Sequence, residues 1–279
     1  MHIWLGDRDG GHLVDLTDAT VSVLDHGFTV ADGVFETMKV TSAGVVALTR
    51  HLRRLTESAA ILGLPEPRLD VVRSAISHAV DVGLADMGEM GRLRVTYTAG
   101  AAPLGSERGT HPPTLVVALS AAKPWPQSTS AVTVPWLRNE RSPIVGAKST
   151  AYAENVVALQ YAHDRGATEA IFGNTRGELC EGTGSNIFVV VDGDVLTPPL
   201  SSGCLGGITR ELVLEFIGGA ECDLDMSVLA QAQEVFITSS TRDVHPVTTL
   251  DERQWAEPGS VTRQFQQAFS ALIRDRIDP

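Results

Sequence analysis

Lysine is rare in this 279-residue chain. Among its 22 basic residues only Lys39, Lys123 and Lys148 are lysine, and the rest are arginine. Where arginine does the surface work, a retained lysine is a candidate for a task that guanidinium cannot perform. Attack on a carbonyl is such a task, because guanidinium stays protonated whereas an amine can shed its proton. Lys148 has the most suggestive setting. It follows Gly146-Ala147, precedes Ser149-Thr150, and stands where TAYAENVVALQYAHDRG predicts a helix over 150–166. A lysine at a helix start opposes the dipole, and desolvation also favours the neutral amine. Lys39 ends a predicted strand and Lys123 falls in a Pro- and Ser-rich stretch, so both read as surface residues.

Four further segments suit an anionic, ring-bearing cofactor. Gly206-Gly207-Ile208-Thr209-Arg210 opens a predicted helix, where close backbone approach, N–H groups and the dipole favour an anion. Thr238-Ser239-Ser240-Thr241 follows an apolar strand and offers hydroxyls at its end. Arg50 begins a helix, a position that is unfavourable unless an anion compensates it. Glu181 stands in EGTGSN ahead of IFVVV, and a glutamate set against a pyridine nitrogen would hold it protonated. Each segment also has a bland explanation: an N-cap, an ST turn, a surface arginine, a solvated glutamate. Their coexistence with Lys148 carries the argument. No G-x-G-x-x-G follows a strand and no G-x-x-x-x-G-K-[ST] occurs, so dinucleotide and P-loop readings fail.

The elements that must position these residues follow from periodicity. Strands are predicted at 21–24 and 34–48, the latter folded at Ser42-Ala43-Gly44. Helices are predicted from Arg50 to Gly63 and over 69–84, then strands at 92–98 and 114–120. In the second half, strands are predicted at 131–135, 168–172, 186–191, 194–197 and 233–238. Helices are predicted from Thr209, over 227–232 and over 260–277. The reading is an α/β (α+β) chain of two domains: 1–121, a linker at 122–130, and 131–279 carrying the lysine.

Composition bounds the partners. The net charge of −12 disfavours a nucleic-acid partner, and no apolar stretch approaches the roughly 18 residues that span a bilayer. The N-terminus lacks the pattern of a signal peptide, so a cytoplasmic location is expected. Cys180, Cys204 and Cys222 are widely spaced and read as reduced thiols. The eight histidines show no H-x-x-x-H or H-E-x-x-H spacing, so no metal is expected.

Six motifs in order resemble the class IV pyridoxal-phosphate enzymes: DHGFTVADGVFETMK at 25–39, RHLRRL at 50–55, KSTAYAEN at 148–155, EGTGSNIFVV at 181–190, GGITR at 206–210 and SSTRDVHPV at 239–247. This family holds branched-chain and D-amino acid aminotransferases and aminodeoxychorismate lyase. The resemblance implies a two-domain fold like that of D-amino acid aminotransferase, with pyridoxal 5'-phosphate between the domains, and a homodimer. It implies that Lys148 is the Schiff-base lysine and general acid/base, and that Glu181 pairs with the pyridine nitrogen. Arg50, Ile208, Thr209, Ser240 and Thr241 are then the phosphate ligands, and Tyr152 lies near the cofactor phenolate.

Within the family, Thr37 of Phe35-Glu36-Thr37 and the run Thr98-Ala99-Gly100 resemble the lyase branch, and the arginine expected of a D-amino acid enzyme at Ala99 is absent. SSTRDVHPV is closer to the aminotransferases. The resemblance therefore implies a lyase that converts 4-amino-4-deoxychorismate to pyruvate and 4-aminobenzoate, a step of folate biosynthesis. Lys148 would move the ring proton, and Arg138, Arg141 and Arg242 are candidates for gripping two carboxylates. The alternatives are a branched-chain or D-amino acid aminotransferase and, remotely, a non-catalytic α/β binding protein.

Overall fold

The computed structural model describes residues 1–279. The chain divides into two compact units. The first holds Met1–Pro124, Ala147–Ala151 and Asp278; the second holds Trp125–Gly146, Tyr152–Ile277 and Pro279. Both mix helices with a sheet, the expected α/β class.

In the first unit β1 (His2–Asp7), β2 (Gly11–Val14), β3 (Gly33–Thr41), β4 (Gly44–Val45), β5 (Gly91–Thr98) and β6 (Thr114–Ala121) form an antiparallel sheet ordered β2-β1-β6-β5-β3-β4. Alternation along the strands gives the sheet two unlike faces. Val34, Met38 and Val40 of β3 meet Leu93, Val95 and Tyr97 of β5 in an apolar layer. Helices α2 (Leu48–Leu62) and α3 (Leu69–Gly83) close that layer with Leu52, Leu55 and Ala59, and with Val72, Ala75, Ile76 and Ala79. Before them, α1 (His26–Thr29) is a single turn capped by the Asp25 carboxylate. Gly63 ends α2 in the left-handed region (φ 65°), where its N–H reaches the carbonyls of Ala59 and Ala60. The opposite face carries Phe35, Thr37 and Lys39, in register with Thr96, Arg94 and Arg92.

The second unit comprises β7 (Thr129–Arg138), α4 (Ala153–His163), β8 (Glu169–Asn174), β9 (Leu179–Gly182), β10 (Asn186–Val191), β11 (Asp194–Thr197), α5 (Ile208–Phe216), β12 (Ala220–Glu221), α6 (Val228–Gln231), β13 (Glu234–Ser239), β14 (Asp243–Leu250), β15 (Arg253–Gln254) and α7 (Ser260–Asp275). Its strands run β12-β11-β10-β13-β14-β7-β8-β9, with β15 on β14. The near-continuous apolar runs of β10 and β13 suit strands buried on both faces. Phe188 and Phe236 stack between them with centroids 4.8 Å apart.

Three expectations change. Val21–Leu24 is not a strand: Val21, Val23 and Leu24 are exposed and pair with nothing in a ladder. The helix predicted at 150–166 shortens to Ala153–His163. The lysine segment Ala147–Ala151 belongs to the first unit, because its backbone bonds to β3 and α2. A boundary at 130 placed it with the C-terminal half. No helix is long and apolar enough to cross a membrane.

Candidate active site

Lys148 precedes α4 by five residues and does not open it. The helix dipole acts within about the first turn, so the dipole argument for this amine lapses. Edge pairing positions the residue instead. Phe35 N donates to Lys148 O at 2.9 Å, Thr150 N donates to Gly33 O at 2.8 Å, and Lys148 N donates to Ser58 Oγ of α2 at 3.1 Å. Lys148 Nζ sits 4.3 Å from the centroid of the Phe35 ring, and the Arg94 guanidinium lies 3.7 Å from the same centroid. Thr37 stands directly opposite Arg94 in the ladder. Amine, aromatic ring, hydroxyl and guanidinium thus share the sheet face away from α2 and α3.

On the helix side of β3 lies a buried network that the sequence reading missed. Glu36 Oε2 is 2.6 Å from His51 Nδ1, and Arg54 donates from Nε and Nη2 to the two carboxylate oxygens at 2.7 and 2.6 Å. Burial pushes the Glu36 carboxyl up, but Arg54 and His51 outweigh it and hold it at about 2. Burial pushes His51 down; Glu36 opposes that, while Arg54 and Lys148 add to it. The signal was present in RHLRRL: His51 and Arg54 flank Leu52 and share the inward stripe with Leu55.

Arg50 lies half-buried in the first turn of α2. The chain itself brings an anion to that terminus, since Asp278 accepts from Thr49 N at 2.9 Å and from Thr49 Oγ1 at 2.6 Å. The dipole argument for a bound anion at Arg50 therefore loses its force.

In the second unit, Glu181 lies on β9, and its Oε2 accepts from Leu205 N at 2.9 Å. Arg138 Nε is 3.2 Å from Glu181 Oε1. Tyr152 is the residue before α4, and its hydroxyl donates to Thr183 O at 3.2 Å. Burial and then Glu181 push the Tyr152 phenol up, against the pull of Arg138 and Asn155. The turn after Glu181 is built on Glu169, which accepts from Thr183 N at 2.9 Å, from Thr183 Oγ1 and from Ser185 Oγ at 3.0 Å. A Cβ on Gly182 would meet Ser185 Oγ at 2.3 Å, so only glycine follows Glu181 without rearrangement.

Helix α5 starts at Ile208 after Gly207 with no side-chain cap, and Ile208 and Thr209 are buried there. Its first-turn N–H groups form the kind of terminus that binds phosphate. Strand β13 packs against α5 and ends in Ser239; Ser240 and Thr241 make the turn to β14. Thr238 Oγ1 is buried with no hydrogen-bond partner. Taken unit by unit, an amine beside an aromatic ring in the first suits an aldehyde, while in the second a carboxylate held by a cation suits a pyridine nitrogen and hydroxyls with an uncapped helix terminus suit a phosphate.

The three arginines named for carboxylates part ways. Arg138 is tied to Glu181. Arg242 is buried over Trp125 (3.9 Å) and donates to Thr129 Oγ1 and Thr168 O, each at 3.2 Å; burial pushes its pKa down. Only Arg141 is largely in solvent. All three cysteines are free thiols, and burial pushes Cys180 up and Cys204 up to about 11, the reverse of a nucleophile's need.

Comparison with known proteins agrees with this chemistry. Residues 33–250 match the family described as amino-transferase class IV. A bifunctional aminodeoxychorismate lyase / D-amino acid transaminase of Mycobacterium tuberculosis is 32% identical over 277 residues, covering 88% of this chain and 91% of that protein. The PLP-bound form of an aminotransferase from Mycobacterium tuberculosis superposes with a TM-score of 0.86 at 28% identity, over 98% of this chain and 100% of that one. A branched-chain aminotransferase from Thermoproteus uzoniensis, solved with norvaline, superposes with a TM-score of 0.89 at 29% identity, over 99% and 95%.

Proposed function

The chain belongs to the class IV aminotransferase family and is a pyridoxal-phosphate enzyme; from that premise we propose that it is an aminodeoxychorismate lyase, releasing pyruvate and 4-aminobenzoate for folate biosynthesis. The observation that carries this reading is the patch beside Lys148, where Thr37 stands opposite Arg94 and the Arg94 guanidinium and the Lys148 amine each lie against the Phe35 ring. Thr37 is the residue that resembles the lyase branch, and Arg94 supplies a cation for a substrate carboxylate. Arg141, the solvent-facing arginine of the three named, is the candidate for the second carboxylate.

Lys148 is the covalent anchor of the cofactor, and Glu181 pairs with its ring nitrogen. Ile208 and Thr209 at the α5 terminus, with Ser240 and Thr241, hold the phosphate, together with a cation from α2. Arg50 is that cation by its place in the motif; Arg50→Ala, titrated with cofactor, should bind it more weakly, and an unaltered affinity would remove Arg50 from the site. Tyr152 stands near the phenolate. Bound pyridoxal phosphate supplies an electrophilic aldehyde and a ring that accepts the electron pair left by a departing proton. Lys148 Nζ then takes the proton from the substrate carbon beside its nitrogen, and proton delivery to the departing enolpyruvyl group gives pyruvate.

A second reading, amino transfer from a D-amino or branched-chain amino acid, draws support from the relatives named for those activities. One experiment separates the two. Aminodeoxychorismate is supplied with no 2-oxo acid. The lyase releases pyruvate and 4-aminobenzoate in equal amounts over many turnovers, whereas an aminotransferase stops after one until an oxo acid is added. Absence of pyruvate, with steady amino transfer to 2-oxoglutarate, replaces the first reading by the second. Borohydride is expected to fix the cofactor to Lys148, and Lys148→Ala to lose label and activity together; label on Lys39 or Lys123 would overturn the assignment. A homodimer is part of the proposal, and light scattering at micromolar concentration tests it.

A further inference from the structure

Arg138 was one of three arginines that sequence alone offered to substrate. Its surroundings give it other work. The guanidinium lies 4.0 Å over the centroid of Phe172 on β8, donates from Nη2 to Asn155 Oδ1 on α4, and has Nη1 3.6 Å from the exposed carboxylate of Glu154. Its Nε is buried with no in-line hydrogen bond, yet stands 3.2 Å from Glu181 Oε1. Strand, helix and ring thus fix the cation from three sides, and the interaction it makes with Glu181 is one of charge more than of directed hydrogen bonding. Leu205 N holds the other oxygen of Glu181 at 2.9 Å. The carboxylate is pinned at both oxygens by groups of the same unit.

We propose that Arg138 is a positioning residue that keeps the Glu181 carboxylate ionised and aimed, and so keeps the proton on the cofactor's ring nitrogen. This rests on the reading that Glu181 faces that nitrogen. Two arrangements compete for one proton: carboxylate with pyridinium, or carboxylic acid with neutral pyridine. A nearby guanidinium stabilises carboxylate and destabilises pyridinium. Arg138 already occupies one edge of Glu181, so any base that Glu181 pairs with lies farther from Arg138 than Glu181 does. Coulomb energy falls with distance, so the net effect favours the ion pair. The ring takes up electrons well only in that form. The same interaction removes Arg138 from the residues expected to grip substrate.

The test uses holoenzyme loaded with pyridoxal phosphate labelled with 15N in the ring. Arg138→Met preserves bulk without charge, Arg138→Lys preserves charge without the planar fork, and Glu181→Gln reports on the reading beneath the proposal. The ring nitrogen of the parent enzyme is expected at the protonated chemical shift. Arg138→Met should move it toward the unprotonated value and lower kcat roughly 10- to 100-fold, the span typical when an outer partner of a functional ligand is lost. Arg138→Lys should restore most of the shift. A merely structural arginine would alter thermal stability and leave the 15N shift in place. An unchanged shift in Arg138→Met, with Glu181→Gln displaced, overturns the role of Arg138 alone; an unchanged shift in Glu181→Gln overturns the placement of Glu181. If Arg138→Met does not fold, Asn155→Ala, which releases one clamp on the guanidinium, should displace the shift in the same direction, and no displacement counts against the proposal.

Discussion

Glu36 in the first unit and Glu169 in the second are both carboxylates with almost no solvent contact, and they are satisfied in opposite ways. Glu36 is met by charge, through the Arg54 fork and the His51 ring. Glu169 is met by neutral donors, the Thr183 and Ser185 hydroxyls and backbone N–H groups, with the nearest cation, Arg242, at 3.9 Å. The contrast follows the work of each region. Glu36 is on the helix side of β3, the strand that carries Phe35 and pairs with the Lys148 segment, and Lys148 is near enough to help push its neighbour His51 down. Glu169 shapes the tight turn after Glu181, where short neutral donors fix geometry without adding another full charge.

The largest effect is expected from breaking the charged network. Arg54→Met leaves Glu36 buried beside a histidine and without its main counter-ion. Losing one partner of a buried ion pair costs about 3–5 kcal/mol. Urea unfolding measures it, and a loss below 1 kcal/mol would show that the network is not what compensates Glu36.

Acid should find the same network. The Glu36 carboxyl is held at about 2 against an ordinary 4.5, so its contribution is full above pH 4.5 and is lost as pH falls toward 2. His51 is depressed below 6.5, so the unfolded chain takes up its proton first and stability begins to fall below that pH. Both act on the acid side. In Glu36→Gln the decline between pH 4.5 and 2 should flatten; an unaltered acid limb would assign it to other groups.

Glu169→Gln should cost less than the arginine change, about 1–3 kcal/mol, because it exchanges an acceptor for an amide without stranding a charge. It should also loosen the turn that holds Tyr152 through Thr183 O. A loss equal to that of Arg54→Met would erase the distinction between the two carboxylates. The smallest effect is expected at Arg141, where alanine should change stability by less than about 0.5 kcal/mol. Under the proposed function the same variant raises the KM for aminodeoxychorismate; an unaltered KM removes Arg141 from the site.

Much of this was legible in residue order, and the failures have physical causes. The hairpin at β3–β4 follows from its strand pattern and turn, and helices α2, α3 and α7 follow from periodicity because each packs against a sheet. Strand β9, which carries Glu181, escaped because four residues are too few to show a period of two; its pairing with β8 creates it. Residues 21–24 were misread because a short apolar run satisfies strand propensity without any partner. His51 and Arg54 were passed over in favour of Arg50 because burial of a charge depends on what lies opposite, and Glu36 lies fifteen and eighteen residues away.

The sequence by itself determined the class of chemistry. A scarce lysine, a glutamate before a strand, and a glycine-threonine helix start are each defined by residue type and near neighbours, which a linear chain records. Tertiary structure alone decided which unit Lys148 joins and what surrounds its amine. The segment Ala147–Ala151 binds the edge of β3 more than a hundred residues earlier, and Phe35 of β3 and Ser58 of α2 reach it from two separate elements. Backbone hydrogen bonds at a strand edge carry no side-chain signature, so no local pattern announces them. For the same reason Arg138, one of three similar arginines in the sequence, acquired its distinct place only when Phe172, Asn155 and Glu181 closed around it.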